Sequence, residues 1–320
     1  MKFTTRAYNS FELNQNNLSS IIKKSKEERL LNEINYYKNL PKNLQIYFPR
    51  IVEKNTSITK PYKLEVEYYG YSNLGQQMIY ENFDKEEWGE IFDFLFTYIK
   101  NYKLEKKRST KSDIYRMLIE KTEVEYLKLI NENRFFKEFS KINKFYFNNK
   151  ELLNFHEIWE DIKKHIFSLR FDKNFYYIHG DLCFSNILFS KNYQNDDVIL
   201  KFVDPRGKFG NKDFYGNHYY DLAKLSHSVN GGYEYFIFDE FNLNIESENI
   251  DLKFSNDNKN KISKILMNKI NLHGYDSNLV SLIEGIIYVG MCARHYDSIE
   301  RQKAMFVTGV DLLNKVYEKL

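Results

Sequence analysis

The sequence predicts an α+β protein with two lobes, a small amino-terminal part of strands and helix followed by a larger, mainly helical part. Residues 62–69, YKLEVEYY, alternate in the manner of a strand, whereas helical periodicity dominates from Glu86 onward. The length of 320 residues and the 42% hydrophobic content suit one large domain or two lobes. We therefore predict a small lobe over residues 1–69 and a large lobe over residues 70–320.

The small lobe begins with a short predicted strand at 18–24, LSSIIKK. The stretch KEERLLNEINYYKNLP follows, and its residues Leu30, Ile34 and Tyr37 share one helical face. Pro41 lies just beyond the predicted end of this helix.

The large lobe then begins with a helix whose apolar stripe includes Ile91, Leu95 and Ile99. Further helices are predicted at 111–131, 151–168, 258–271, 278–295 and 299–318, and short strands at 175–178, 186–189 and 198–203. The polar stretch 247–261 is predicted to be a surface loop.

Composition argues against several classes of function. The net charge is +3, from 47 basic and 44 acidic residues, and no basic block indicates a nucleic-acid partner. Cys183 and Cys292 are too few and too distant for a disulfide framework or a zinc site. The apolar window 282–292 contains Glu284 and is too short to span a membrane. With no apolar signal at the start of the sequence, we expect a cytoplasmic protein without a membrane span. Its oligomeric state is left open.

The most informative segment is HGDLCFSNILFSKNYQNDDVILKFVDPR, which begins at His179. Asp181 and Asn186 are five positions apart, and Asp204 follows the apolar stretch VILKFV. This order is typical of phosphoryl transfer, in which one Asp orients a hydroxyl nucleophile while an Asn and a second Asp hold magnesium against phosphates. An amide and a carboxylate are sufficient protein ligands for Mg²⁺, which also keeps phosphate oxygens and water.

Phosphoryl transfer also needs a cation that holds the nucleotide phosphates. Lys23 and Lys24 end the first predicted strand, and Glu33 borders the buried face of the helix that follows. A strand lysine paired with a helix glutamate would supply this cation. We predict Lys24 as the lysine, although strand alternation alone does not choose between the two.

Three further residues surround the motif. His179 is predicted to be a scaffold of the loop rather than a proton shuttle. Asp221, in YYDLAKLSHS, precedes an apolar helical start and is predicted to cap that helix or to brace the catalytic loop. Arg206 lies just past Asp204, where it would either contact an anionic group of a substrate or remain solvated.

These residues resemble the aminoglycoside phosphotransferase and choline kinase superfamily, which has a two-lobed, protein-kinase-like fold. The resemblance is carried by His179, Gly180, Asp181, Leu182, Asn186, Ile187, Leu188 and Asp204. It implies that Asp181 is the catalytic base, that Asn186 and Asp204 bind Mg²⁺, and that ATP is the phosphate donor. It also implies a Lys24–Glu33 pair at the nucleotide phosphates and an adenine-binding hinge at Glu67 and Tyr68.

A narrower resemblance is carried by FVDPRGKFG, YYDLAKLSHSVNGGYEYF and EGIIYVGMCARHYDSIERQKAM. These phrases are similar to kinase-like proteins encoded with bacterial capsule or lipopolysaccharide genes. The resemblance implies a small hydroxyl acceptor, such as a sugar or a small alcohol used in surface polysaccharide synthesis.

One departure from the family keeps an alternative open. No glycine precedes Gly70, so the segment LNQNNLSS would replace the usual glycine-rich loop over the phosphates. The main hypothesis is an ATP-dependent small-molecule kinase, and the alternative is a pseudokinase or nucleotide-binding regulatory protein of the same fold. A protein kinase ranks last, since no activation segment ending like APE follows Asp204.

Overall fold

The computed structural model describes residues 9–14, 19–53, 56–81, 83–192, 197–210 and 212–320. The amino-terminal part is a three-stranded antiparallel sheet with one long helix. Its elements are β1 (Asn9–Leu13), β2 (Ser20–Ser25), α1 (Glu28–Lys38) and β3 (Tyr62–Glu67). Strand β2 lies in the centre of the sheet, and α1, whose residues Leu30 and Ile34 are buried, packs on β3. The predicted strands and helix of this part are therefore confirmed.

Two capped helices connect this sheet to the rest of the chain. Strand β4 (Ser72–Asn73) leads into α2 (Leu74–Tyr80), and α3 (Lys85–Tyr102) follows. Asn73 and Asp84 each accept a hydrogen bond from the backbone three residues later, which forms a capping box at the start of each helix. The apolar stripe predicted for α3 is buried in the structure.

The motif segment lies on short strands, as predicted. Its strands are β8 (Asn174–Tyr177), β9 (Ile187–Asn192) and β10 (Asp197–Phe202). Strands β9 and β10 form an antiparallel hairpin, and β9 also pairs with β4. Strand β8 lies between β5 (Lys106–Arg108) and β11 (Tyr215–Gly216). The loop between β8 and β9 carries Asp181 and Asn186, and Asp204 lies two residues after the end of β10.

The large part is mainly helical. Its further helices are α4 (Lys111–Tyr115), α5 (Lys121–Glu132), α6 (Arg134–Phe139), α7 (Phe155–Ser168), α8 (His218–Val229), α9 (Tyr233–Ile237), α10 (Asn258–Leu272), α11 (Ser277–Val289) and α12 (Ile299–Tyr317). The predicted helix 111–131 contains a π-helical turn at 116–120, and the predicted helix 278–295 ends earlier, at Val289. Among the helices of the described residues, none combines the length and the hydropathy that a membrane span requires.

The prediction of a surface loop at 247–261 is wrong for most of that segment. Strands β12 (Phe241–Glu246) and β13 (Asn249–Phe254) form an antiparallel hairpin there. They join β6 (Lys144–Phe147) and β7 (Lys150–Leu153) in a sheet of order β12-β13-β6-β7. In β13, the buried Ile250 and Leu252 alternate with exposed polar residues. The high polar content of the segment made this alternation of apolar and polar residues difficult to recognise in the sequence. Together with the amino-terminal part, these elements confirm the predicted α+β class.

The loop after β10 packs tightly against α1 at Gly207. The φ angle of Gly207 is +73°, and a Cβ atom there would lie 2.3 Å from the Asn32 carbonyl oxygen. Gly210 also has a positive φ angle, +52°, but a Cβ atom there would meet no atom within 4 Å. The two glycines therefore share the same backbone requirement and differ in the space around them.

We expect Gly207→Ala to destabilise the protein more than Gly210→Ala. Both substitutions force alanine into a left-handed conformation, at a cost of about 1–2 kcal/mol. Gly207→Ala adds a collision with α1 that costs about 1–3 kcal/mol more. Urea unfolding of both variants and the unmodified protein measures the difference. Equal losses of unfolding free energy would contradict the tight packing of this loop on α1.

Candidate active site

A buried lysine on β2 joins three parts of the chain. The Lys23 Nζ atom lies 2.6 Å from Glu33 Oε2 on α1, and it also contacts the Asp204 carboxylate after β10. Burial by itself would lower the pKa of Lys23, but Asp204 and Glu33 raise it above its ordinary value. The ammonium group therefore remains charged where the sheet, α1 and the β10 end meet.

The predicted pairing of Lys24 with Glu33 is wrong. Lys24 lies on the opposite face of β2, where it is half-buried and pairs with Glu12 on β1. Successive side chains of a strand point to opposite faces, so only one of two adjacent lysines can reach α1. Lys23 is that residue.

The loop after β8 depends on a glycine at position 180. Gly180 has a φ angle of +76°, and a Cβ atom there would lie 2.1 Å from the Phe209 ring. Next to it, the buried His179 connects two segments. Its Nδ1 atom accepts a hydrogen bond from the Asp181 N–H at 3.2 Å, and its Nε2 atom donates to the Val203 carbonyl at 3.0 Å. Burial lowers the pKa of His179 to about 4, so this ring is neutral at physiological pH.

Asp221 accepts two backbone hydrogen bonds from the same loop. Its carboxylate receives the N–H groups of His179 at 2.9 Å and Gly180 at 2.7 Å. Burial raises the pKa of Asp221 to about 7, and the two N–H groups oppose this rise. Asp221 lies in the first turn of α8, so these bonds attach the loop to that helix.

The Asp181 carboxylate lies between two cations. Lys224 Nζ is 2.9 Å from Asp181 Oδ1, and Arg29 Nη2 is 3.4 Å from Oδ2. Burial would lower the pKa of Lys224, but Asp181 raises it above its ordinary value. The sequence prediction included neither cation. Lys224 comes three residues after Asp221, and this spacing places both residues on one face of α8. The spacing is the sequence feature that could have indicated Lys224 as a site residue.

Asn186 and Asp204 have the donor atoms that Mg²⁺ prefers. Asn186 Nδ2 donates to the Asp181 carbonyl at 2.8 Å, so its amide oxygen is left as a ligand. Asp204 has a φ angle of +60°, which is uncommon for a residue other than glycine and recurs at functional sites. Burial would raise the pKa of Asp204, but Lys23 and then Arg29 lower it to about 2. The Val203 N–H bonds to the Asn186 carbonyl at 3.0 Å and links the two segments.

These two oxygens fit a magnesium ion that also binds phosphate oxygens and water. Among the described residues, no group of three or more His, Cys, Asp or Glu side chains is placed to hold a metal ion. A metal at this position would therefore depend on ligands from its substrate as well as on the protein.

A cavity of about 540 Å³ lies beside this pair. The sequence-predicted residues that line it are Lys23, Glu33, Glu67, Tyr68, Asn186 and Asp204, with Lys23 in place of Lys24. Glu67 accepts a hydrogen bond from Arg50 Nε at 2.6 Å. The Tyr68 N–H donates to the Ser19 carbonyl at 2.7 Å, so it is not available to a nucleotide base. Of the segment LNQNNLSS, residues 15–18 lie outside the described residues.

A second cavity, of about 330 Å³, lies beside Asp181 and also includes Arg206. Arg206 Nη1 donates to the Tyr220 hydroxyl at 3.1 Å, and its guanidinium lies 4.6 Å from the Phe209 ring centre. The structure thus places Asn186 and Asp204 on one cavity and Asp181 on the other.

No protein-family model matches this chain, and no curated protein matches it either. Among solved structures, the chain is similar to a complex of gentamicin with APH(2″)-IIa, an aminoglycoside phosphotransferase. The two chains are 13% identical, the TM-score is 0.49, and the match covers 96% of this chain and 87% of that one. An identity this low transfers no substrate to this chain.

Proposed function

We propose that this chain is an ATP-dependent phosphotransferase that moves the γ-phosphate to a hydroxyl group of a small molecule. One observation carries the proposal. Lys23 is ion-paired with Glu33 and Asp204 at one wall of a cavity that Asn186 also lines, and the neighbouring Asp181 opens on a second cavity. Kinase active sites use these residue types: a strand lysine held by a helix glutamate, a catalytic Asp, an Asn and a metal-binding Asp.

In this proposal, residues 1–69 form the nucleotide-binding lobe and residues 70–320 carry the catalytic loop, the metal ligands and the acceptor site. The larger cavity is the nucleotide-side cavity: it takes ATP, with the base near the β3 end at Glu67 and Tyr68 and the phosphates near Lys23. Asn186 and Asp204 would hold Mg²⁺, which neutralises phosphate charge when bound. The proposal includes a cytoplasmic location, because ATP is available there.

The reaction would depend on Asp181. The acceptor hydroxyl donates a hydrogen bond to the Asp181 carboxylate, and its oxygen attacks the γ-phosphorus. The bond from this phosphorus to the bridging oxygen of the β-phosphate breaks, ADP leaves, and the hydroxyl proton passes to Asp181. His179 and Asp221 keep the loop in place through their hydrogen bonds to residues 179–181.

The acceptor class is the finer part of the proposal. A sugar or small alcohol of surface polysaccharide synthesis is supported by the sequence phrases of the narrower resemblance alone. The charge of the acceptor would have to suit the side chains of the second cavity, which include Arg206 and Lys224.

We expect Lys23→Met to weaken MgATP binding and Lys24→Met to leave it nearly unchanged. Loss of a charged hydrogen bond to phosphate costs about 1.5–3 kcal/mol, which is at least about tenfold in dissociation constant. Calorimetric titration of each variant with MgATP measures the effect. The two lysines are adjacent on β2, so each is a control for the other. A larger loss in Lys24→Met would show that Lys23 is not the phosphate-binding cation.

We expect Asp181→Asn to lower acceptor-dependent ATP consumption by about 10²–10⁴-fold, because the amide cannot take up the hydroxyl proton. MgATP binding should persist, since Asp181 does not line the nucleotide-side cavity. The assay is ADP formation in the presence of sugars, choline, amino alcohols and aminoglycosides. Asp161→Asn, which removes a surface partner of Lys164, is the matched control.

Unchanged turnover in Asp181→Asn would refute the catalytic role. If the unmodified protein binds MgATP and no acceptor raises ADP formation, the chain is instead the nucleotide-binding regulatory protein of the alternative hypothesis.

A further inference from the structure

The cavity beside Asp181 is strongly basic. The cationic side chains that line it are Arg29, Lys121, Arg206, Lys208, Lys224 and Arg294. Asp181 is the sole carboxylate among the described lining residues. Lys224 and Arg29 contact Asp181, and Arg294 is held by Glu125 through bonds of 2.9 and 2.6 Å.

Two of these cations converge on one hydroxyl group. Lys121 Nζ lies 3.0 Å from the Tyr220 hydroxyl oxygen, and Arg206 Nη1 lies 3.1 Å from it. Tyr220 is buried, and both cations are half-buried. Neither Lys121 nor Arg206 forms an ion pair with a carboxylate of the described chain. Two like charges held together away from water are costly unless an anion joins them.

The ionisation of this cluster shows the same excess of positive charge. Burial, and then the charge of Arg206, lowers the pKa of Lys121 to about 7. Burial would raise the pKa of Tyr220, but Lys121 and Arg206 lower it to about 7. The cations thus favour negative charge even on a phenol, and a bound oxyanion would supply it more fully.

The cluster is fixed relative to the catalytic loop. The Arg206 N–H donates to the His179 carbonyl at 2.9 Å, and Phe209, on which the Arg206 guanidinium lies, packs against Gly180. Because Asp181 and the cluster line one cavity of about 330 Å³, a single small molecule can reach both.

We propose that the acceptor is a hydroxyl compound that carries an oxyanion group, a phosphate or a carboxylate, bound by Lys121, Arg206 and the Tyr220 hydroxyl while its reacting hydroxyl lies at Asp181. This inference rests on the proposed phosphotransferase function and adds the acceptor class. A cationic acceptor is disfavoured, since an aminoglycoside or choline would meet like charge. Acidic residues that would suit such an acceptor lie elsewhere, with Asp239 paired to Arg301 and Glu240 bonded to Tyr80.

The binding test uses inorganic phosphate and acetate as probes. Calorimetry measures the affinity of each probe for the unmodified protein and for Arg206→Gln, Lys121→Gln, Arg206→Lys and Lys23→Met. Phosphate, acetate or both should bind, and the better probe shows which oxyanion is preferred. We expect Arg206→Gln and Lys121→Gln to weaken that binding about tenfold, because each removes a charged hydrogen bond to the anion. Arg206→Lys, which keeps the charge, should retain most of it, as should Lys23→Met, whose substitution lies on the other cavity.

A loss in Lys23→Met with no loss in Arg206→Gln or Lys121→Gln would place the anion in the nucleotide-side cavity and overturn the inference. Absence of binding by both probes would also overturn it. Equal melting temperatures of Arg206→Gln and Arg206→Lys exclude a folding defect as the cause of a difference between them.

The turnover test compares one sugar in four forms: glucose, glucose 6-phosphate, glucuronate and glucosamine, together with an aminoglycoside. We expect an anionic form to give the highest kcat/KM and Arg206→Gln to reduce that preference by at least about tenfold. Preference for glucosamine or the aminoglycoside would overturn the acceptor class while supporting the phosphotransferase. If none of these compounds stimulates ATP consumption but phosphate binding still depends on Arg206, the result counts against the phosphotransferase function and supports the anion site.

Discussion

The ion pairs of Lys23 are the interaction on which the candidate site depends. Lys23 comes from the central strand of the amino-terminal sheet, Glu33 from α1, and Asp204 from the segment that follows β10. A buried ammonium group is tolerated only when carboxylates surround it, so these segments cannot separate without leaving a charge unpaired. Gly207 reinforces the junction, because its missing side chain lets the loop after Asp204 lie directly on α1. The position of the candidate metal ligand Asp204 is thereby tied to the position of the candidate phosphate-binding cation Lys23.

The order of Asp181, Asn186 and Asp204 along the chain was sufficient to select the loop after β8 and the segment after β10 as the candidate site. The structure joins these two segments through the hydrogen bond from the Val203 N–H to the Asn186 carbonyl. The choice between Lys23 and Lys24 could not be made in this way. Each face of β2 carries one isoleucine and one lysine, Ile21 with Lys23 and Ile22 with Lys24, so alternation gives no preference. Only the position of α1, which depends on tertiary packing, decides which lysine is buried. Lys121 and Arg294 are distant in sequence from the motif and join the cavity through the same packing.

The fold was predictable where periodicity was strong and was missed where polar residues dominated. The stripe of α3 and the apolar faces of α11 and α12 are long enough for their helices to be recognised from sequence. Strand β13 has only two fully buried apolar residues, Ile250 and Leu252, among charged and amide side chains. Its strand conformation is stabilised by pairing with β12 and β6, and both of these strands lie outside residues 247–261.

The charged side chains of the two cavities are mainly acidic in one and mainly basic in the other. This difference in charge favours a divalent metal in the first cavity and an anionic acceptor in the second. The nucleotide-side cavity is lined by Lys23 and by three carboxylates, those of Glu33, Glu67 and Asp204. Lys23 is already shared by two of these carboxylates, so a polyphosphate there would need further positive charge, which a divalent cation provides. The Asp181 side has the reverse balance and would need a negative charge from its ligand. A metal-bound nucleotide and an anionic acceptor would each neutralise the cavity that it enters. In the proposed reaction, the cations around Asp181 would also offset the charge of the phosphoryl group as it moves towards the acceptor oxygen.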